Sequence, residues 1–264
     1  MAACVMRSHR LIRVTVFFAQ VGAVCLVLWL WQRSSDSGSI NRGFWSSPTQ
    51  IAATLGDWYR DGTLFRAVVS TLQAFAIGYV IGVGLGVMLG LIIGVSRWAR
   101  EIVEPFLAFF NAMPRLVLFP LLVVWFGFGF TPRYIFVAIV IVVLVTINVA
   151  GGLRETRQDL INAVRLYGGG VWQVTRHVYL PTVALWVTST ARVTVGYALN
   201  AAIVSEFIGG SLGLGYQIAY GQATFRPSYI FAALAVTVAV ALVLDSVLSI
   251  AERRVTPWRE SYEN

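Results

Sequence analysis

Five apolar stretches in this chain are each long enough to cross a lipid bilayer, and they constrain the fold more than any other feature. They lie at 14–31, 67–95, 134–151, 182–206 and 229–250. The hydrocarbon core of a bilayer is about 30 Å thick, so a spanning helix needs about 20 mostly apolar residues. The chain is 58% hydrophobic and 12% charged, well outside the range of ordinary soluble domains. Because long continuous runs are typical of helices rather than β-barrel strands, the sequence predicts an all-α polytopic membrane protein.

A sixth span is predicted at 104–130, although three prolines and Arg115 interrupt it. The stretch PRLVLFPLLVVWFGFGF within it is too apolar for a loop in water. Proline is tolerated in a membrane helix where neighbouring groups bind the freed carbonyl, so we expect a broken or kinked helix here. The sequence therefore predicts a single transmembrane domain over residues 1–264, with six transmembrane helices.

The distribution of arginine predicts the orientation of the chain, which contains twenty arginines and no lysine. With the N-terminus inside, the inner segments carry twelve arginines and the outer segments six, Arg133 among the latter. Because positive residues favour the cytoplasmic side, we expect both termini and the loop at 152–181 in the cytoplasm. The basic N-terminus also fits a signal peptide, but a long apolar run without a small-residue cleavage site favours an uncleaved span.

Composition excludes several functional classes. The net charge of +8 reflects the arginine bias of a membrane protein, and no soluble basic module indicates nucleic-acid binding. The cysteines Cys4 and Cys25 and the histidines His9 and His177 are too dispersed for a disulfide framework or a metal site. The acidic residues form no paired cluster, and no phosphate-binding loop with its lysine is present. We therefore expect no catalytic site, metal or cofactor on this chain.

Little of the chain lies outside the predicted membrane region. In the external segment 34–66, Ser47 followed by Pro48 is a helix-start signal, and Ile51, Leu55 and Trp58 recur at helical spacing. This pattern predicts a short helix on the outer surface. A second external segment, 207–228, is rich in glycine. Neither is large enough to capture a large ligand or to hydrolyse a nucleotide, so those parts must belong to other polypeptides.

The second span carries glycines at an unbroken interval of four. They are Gly78, Gly82, Gly86, Gly90 and Gly94. Small residues at this interval give a bare helix face that another helix can approach closely. We predict packing within one bundle; a face along which helices slide during a conformational change is the alternative.

Polar side chains inside spans mark candidate positions along a solute pathway, namely Arg115, Arg192, Asn200 and Glu206. A charge at mid-membrane costs about 2.5–3.5 kcal/mol on insertion scales, so Arg192 must face a partner or a cavity. A buried ion pair of Arg192 with Asp245 or with Glu206 is the structural alternative. Arg115 is a weaker candidate of the same kind.

The loop after the fourth span contains the sequence NAVRLYGGG and is predicted to form a short amphipathic helix. Leu160, Ile161, Val164 and Tyr167 fall on one face, and Gly168 supplies a C-terminal stop. Such a helix either rests on the lipid surface or forms a surface that another protein binds.

This loop resembles the signature loop of the permease subunits of bacterial ABC importers, in which an E-A-A-x-x-x-G core is followed by a Leu-Pro pair. The core here is Asn162-Ala163-Val164-x-x-x-Gly168, and Leu180-Pro181 follows at a fitting distance. Asn162 and Val164 depart from the usual residues. The stretches WSSPTQIAATL, NAMPRLVLFPLLVVWFGFG and SEFIGGSLGLGYQI resemble the nitrate, sulfonate and taurine branch of this type I family, in the same order.

The resemblance implies a permease in the bacterial inner membrane that imports a small anionic solute such as nitrate, a sulfonate, taurine or an aromatic carboxylate. A vitamin precursor is the other solute that this branch leaves open. The resemblance also implies a second permease copy, two cytoplasmic ATPase subunits that bind ATP and Mg, and an external binding protein. By likeness, the residues that couple to the ATPase are Leu160, Asn162, Ala163, Val164, Gly168, Leu180 and Pro181. An ion-coupled secondary transporter or a channel is the alternative, although no internal repeat favours it.

Overall fold

The computed structural model of the protein describes the backbone of residues 2–38, 41–156 and 158–255. It describes the side chains of the same residues except those at 2–14, 17, 18, 42 and 251–255. Every regular element in these ranges is helical, which confirms the predicted all-α fold. The α-helices are α1 (Ala2–Asp36), α2 (Arg42–Trp45), α3 (Pro48–Arg60), α4 (Thr63–Val95), α5 (Arg97–Ala112), α6 (Leu118–Phe126), α7 (Phe130–Arg154), α8 (Gln158–Leu166), α9 (Val171–Val174), α10 (Leu180–Gly209), α11 (Leu214–Ala223) and α12 (Pro227–Val255).

Three helices, α4, α7 and α12, are long and apolar enough to cross a membrane by themselves. Two bent helix pairs raise the number to five within the described residues, if each pair forms one span. One pair joins α5 to the segment 115–126, and the other joins the helical segment 171–209 to α11. The predicted first span lies in α1, whose side chains are described only in part, and it is not among these five.

The core of the fold is the contact between α4 and α7, where glycines allow the two backbones to approach closely. Five glycines along α4 each lie against a branched side chain of α7. The pairs are Gly78 with Val137, Gly82 with Ile141, Gly86 with Val145, Gly90 with Val149 and Gly94 with Leu153. Because the residue numbers rise together, the two helices run parallel, as two spans that cross the membrane in the same direction must.

The third span is broken, as the prolines predict, but only one proline breaks it. Pro105 lies inside α5, and Pro120 lies in the first turn of α6. Met113 is extended, because the ring of Pro114 disfavours helical backbone at the residue before it. A 3₁₀ turn at Arg115–Val117 follows, and the helices on either side of the break are bent by 87°.

The short helix predicted outside the membrane is confirmed as α3. The Ser47 hydroxyl accepts a hydrogen bond from the Gln50 amide at 3.3 Å, and Pro48 occupies the first turn. Trp58 is buried, and with Ile51 and Leu55 it packs in a cluster that includes Ala232 and Ala233 of α12. The apolar face of α3 therefore holds this helix against the start of the last span.

Candidate functional site

A cleft of about 410 Å³ opens where the break in the third span meets α7 and α10. We call it the bend cleft. Its walls are mostly apolar, and two of the four predicted pathway residues, Arg115 and Asn200, lie together in its lining. Tyr197, one turn before Asn200 on α10, adds a hydroxyl-bearing side chain that the sequence did not single out.

The Arg115 side chain is held in place by a neutral partner. Its Nη2 donates a hydrogen bond to Asn111 Oδ1 at 2.9 Å. No carboxylate among the described residues forms an ion pair with Arg115, so its positive charge is not neutralised locally. A cationic guanidinium in a mostly apolar cleft favours an anionic ligand, because guanidinium binds planar or tetrahedral oxyanions with two parallel hydrogen bonds.

Arg192 lies outside the lining of the bend cleft. Its Nε is 2.9 Å from Asp245 Oδ1, and its Nη2 donates to Ser249 Oγ at 2.7 Å, which joins α10 to α12. Of the alternatives raised by the sequence, the structure shows the ion pair with Asp245 and not a pair with Glu206. Both side chains are about half exposed, whereas the sequence predicted a buried pair.

Glu206 is completely buried and also lies away from the bend cleft. Its Oε2 accepts hydrogen bonds from the Thr71 hydroxyl at 2.8 Å and from the Gly215 amide at 3.1 Å. The Thr71 hydroxyl in turn accepts from the Leu214 amide at 3.0 Å. Glu206 therefore ties the end of α10 to α4 and to the start of α11, whose N-terminal amides favour a nearby negative charge.

The partner of Glu206 is Arg133, which the sequence placed in an outer segment. In the structure Arg133 lies in the first turn of α7 and is buried, with its Nη1 3.5 Å from Glu206 Oε1. Nη1 also donates to the Leu212 carbonyl at 2.8 Å and to Ser70 Oγ at 3.0 Å. Pro132, a residue suited to the first turn of a helix, is the sequence signal for this earlier start. We call Arg133 and Glu206 the outer ion pair.

The loop between α10 and α11 fits around this pair because of Gly213. Its φ of +125° is a backbone conformation that residues with a side chain rarely adopt. A Cβ atom at this position would also overlap the Glu206 carboxylate. The glycines of the second external segment are therefore needed to close the chain over a buried charge.

The predicted loop helix is present as α8, and Gly168 ends it. The Gly169 amide donates to the Val164 carbonyl at 2.9 Å and the Gly168 amide to the Arg165 carbonyl at 3.0 Å, the two hydrogen bonds of a Schellman motif. Gly168 has a φ of +81°, the left-handed conformation that this motif requires. The stop therefore has the backbone geometry expected from its glycine.

The apolar side chains of α8 are partly buried within this chain and partly exposed. Ile161 is buried and Val164 partly buried, in a cluster with Val174, Val178 and Tyr179 of the same chain. Tyr167, predicted on the same face as Ile161, is instead 93% exposed, because the chain leaves the helix at this residue. The exposed apolar side chains of this region define what we call the loop surface: Leu160, Leu166, Tyr167, Val171 and Trp172. Asn162 and Ala163 are also exposed.

The sequence predicted a loop that extends to residue 181, but the structure is helical at Leu180 and Pro181. The helix is continuous from Val171 to Gly209, with a π-helical turn at Thr175–Tyr179 just before the proline. The Leu180 amide donates to the Thr175 carbonyl, five residues back. This wider turn accommodates the missing amide of Pro181 without ending the helix. Consequently, one helical segment connects Val171 near the loop helix to Asn200 in the bend cleft.

Comparison with known proteins agrees with this architecture. Residues 82–257 match the family model described as the binding-protein-dependent transport system inner membrane component. The chain is 32% identical over 236 residues to the riboflavin transport system permease protein RibX of Chloroflexus aurantiacus, covering 89% of this chain and 88% of RibX. It is 27% identical over 238 residues to the putative aliphatic sulfonates transport permease protein SsuC of Bacillus subtilis, covering 90% of this chain and 86% of SsuC.

Among solved structures, the chain is similar to one from a bacterial ABC transporter involved in the import of the acidic polysaccharide alginate. The TM-score is 0.65 at 14% identity, and the match covers 92% of this chain and 97% of that chain. At this identity the likeness concerns the fold alone. Together with the family match over two thirds of the sequence, it identifies the chain as a multi-pass inner-membrane permease of the binding-protein-dependent ABC importer family.

Proposed function

We propose that this permease imports a small anionic solute and that the solute contacts Arg115 and Asn200 in the bend cleft. The observation that supports this proposal is the Arg115 guanidinium, which lies in a mostly apolar cleft and whose hydrogen-bond partner among the described residues is the neutral Asn111. A volume of about 410 Å³ suits a small molecule rather than a polymer. The sulfonate group is the anion we favour, because its three oxygens match the donors of a guanidinium and because SsuC is a relative.

The loop surface and the family support the partners in this proposal. Two copies of this chain form the pathway, an external binding protein delivers the solute, and two cytoplasmic ATPase subunits supply the energy. Both chain termini and the loop surface face the cytoplasm. Leu166 and Tyr167, 87% and 93% exposed, are apolar anchors of the kind that a helix inserts into a groove of a partner. ATP and Mg bind to the ATPase subunits, and this chain carries no catalytic site.

The mechanism rests on alternating access between an outward-open and an inward-open state. Closure of the ATPase subunits on ATP draws the two loop surfaces together, and the continuous helix 171–209 carries this movement into the membrane. ATP shifts the population only if it binds the outward-open state more tightly. The break after Met113 lets α5 change its angle relative to α7, because Met113 is extended and Pro114 has no amide to bond back to α5.

The proposed function is tested with an Arg115→Gln variant of the complete transporter in proteoliposomes, with taurine and its binding protein as the first probe. We expect solute-stimulated ATP hydrolysis and uptake to fall at least about tenfold, the loss that about 1.4 kcal/mol of binding free energy produces. Arg115→Lys should restore part of the activity, since it keeps the charge but not the two-donor geometry.

The matched control is Arg97→Gln, because the Arg97 side chain is 88% exposed and lies away from the cleft. Normal transport by Arg115→Gln of every anion tested would overturn the assignment of the cleft. Transport by the permease alone, driven by an ion gradient without ATPase subunits, would instead support the secondary-transporter alternative.

The loop surface is tested by comparing Tyr167→Asp with Val164→Asp. Tyr167→Asp should leave the permease folded and abolish its co-purification with the ATPase, because a charge replaces an exposed anchor. Val164→Asp should lower the thermal stability of the permease itself, because Val164 packs inside the chain. Unchanged ATPase binding by Tyr167→Asp would contradict the proposed coupling surface.

A further inference from the structure

A second cavity, of about 260 Å³, lies between α4, α5 and α7 on the predicted cytoplasmic side of the bend cleft. We call it the inner pocket. Its lining includes Glu104, Asn111, Ile147 and Arg154. Arg154 Nη2 is 2.9 Å from Glu104 Oε1, so an ion pair joins α5 to the end of α7 at this pocket. We call these two residues the inner ion pair.

The inner pocket and the bend cleft lie along one face of α7. Phe136 and Val140 line the cleft, and Ile147, Gly151 and Arg154 line the pocket. The steps between these residues are four, seven, four and three, each close to a whole number of helical turns. At about 1.5 Å per residue, the distance from Val140 to Arg154 along the helix is about 21 Å. The two cavities are therefore stacked along the membrane-crossing direction of this helix.

A direct hydrogen bond connects the two cavities on the side of α5. Asn111 lines the inner pocket and Arg115 lines the bend cleft, and these two side chains bond at 2.9 Å. Glu104, Ala108 and Asn111 are spaced by four and three residues, so they share one face of α5. Arg115, Asn111, Glu104 and Arg154 thus form a row of polar side chains from the bend cleft to the end of α7, with Asn111 and Glu104 about two helical turns apart on α5.

We infer that the inner pocket is a second binding position on the solute pathway, which the anion enters when it leaves the bend cleft. The inner ion pair closes this pocket. The inference rests on the proposed function for the direction and charge of the solute. While the pair is closed, Glu104 neutralises Arg154 and links α5 to α7. When α5 swings at the break, the pair separates, and Arg154 becomes a cation that draws an anion from Arg115 toward the cytoplasm. The pair suits this role because its side chains are 54% and 41% exposed, and such pairs separate at little cost.

The test measures access to the inner pocket with charged thiol reagents and needs no transported solute. Cys4 and Cys25 are replaced by serine, Ala108→Cys is introduced into the pocket lining, and the complete transporter is placed in lipid nanodiscs, where both membrane faces are accessible. The probes are the anionic 2-sulfonatoethyl and the cationic 2-(trimethylammonium)ethyl methanethiosulfonates. Glu104→Gln should accelerate labelling by the anionic reagent about fivefold, the ratio that a change of about 1 kcal/mol in activation free energy produces. Labelling by the cationic reagent should change much less.

Arg154→Gln should show the opposite preference, with faster labelling by the cationic reagent. The double variant Glu104→Arg/Arg154→Glu restores the ion pair with its charges exchanged, so both labelling rates should return toward those of the parent. That result would also show that the fold tolerates substitutions at these two positions. Arg97→Gln breaks a neighbouring exposed pair with Glu101 on the same helix and serves as the control that leaves both rates unchanged. Unchanged labelling rates for both reagents in Glu104→Gln, or faster labelling by the cationic reagent than by the anionic one, would overturn the inference. Because labelling is independent of transport, a failed Arg115 experiment leaves this result interpretable.

Discussion

The two ends of α7 carry the same chemical pair in opposite surroundings. At its start, Arg133 and Glu206 have side chains that are 6% and 0% exposed, and five further hydrogen bonds hold them. At its end, Arg154 and Glu104 are 41% and 54% exposed and share a single short contact. Burial removes water as a competing partner, so the outer ion pair can separate only by unfolding its surroundings. The inner ion pair exchanges its contact for water at low cost, and this makes it suited to open during transport.

The largest effect in this comparison is expected from Glu206→Ala. The substitution leaves Arg133 as an unpaired buried charge and removes the acceptor of the Thr71 and Gly215 hydrogen bonds, and losing one partner of a buried pair costs about 3–5 kcal/mol. We expect a sharply lower thermal-unfolding midpoint of the purified complex in detergent, or no folded complex. A midpoint equal to that of the parent would show that the outer ion pair is not a fixed element of the fold.

A smaller effect is expected at the glycine face that holds α7 rigid between its two ends. In Gly82→Ala the new Cβ would lie 2.7 Å from the Cβ of Ile141, so the helices must shift, and overpacking of this kind costs about 1–3 kcal/mol. Gly84→Ala is the matched control, since a Cβ there meets no atom within 4 Å. Differential scanning fluorimetry of both variants should give a lower midpoint for Gly82→Ala only. Equal midpoints would argue that α4 and α7 slide freely instead of packing as one unit.

The smallest change in stability is expected from Glu104→Gln. Because both side chains of the inner ion pair are largely exposed, we expect a loss of less than about 1 kcal/mol, with a midpoint within a few degrees of the parent. The expected result is a change in ATP hydrolysis without solute, since the inward-facing side opens more readily. A loss of stability as large as that of Glu206→Ala would mean that both ion pairs are structural.

Several local features were accessible from the sequence because they depend on neighbouring residues. Ser47 and Pro48 predicted the start of α3, Gly168 predicted the end of α8, and Pro114 breaks the third span as proline spacing suggested. Each of these follows from backbone sterics or from a hydrogen bond within a few residues. The family resemblance extended the prediction to the function, and the family match confirms it at the level of an ABC importer permease.

Other features were missed because they depend on contacts distant in the chain. The sequence counted Arg133 in an outer segment and did not indicate its burial, which follows from contacts with Ser70, Glu206 and Leu212. The sequence placed Tyr167 on the same helix face as Ile161, and helical periodicity does not show that the chain leaves the helix at Tyr167. The continuity of the helix through Pro181 depends on a wider turn that sequence spacing does not indicate.

The amino-acid sequence by itself determined that this chain crosses a membrane as helices, where those helices break, and which residue types are too costly to place in lipid without a purpose. Those properties follow from transfer free energies and from backbone geometry, which act residue by residue. Only the tertiary structure decided which of the charged side chains are neutralised and which lie open in a cavity. That decision depends on helices separated by dozens of residues in the chain, because an ion pair forms wherever packing brings its two partners together.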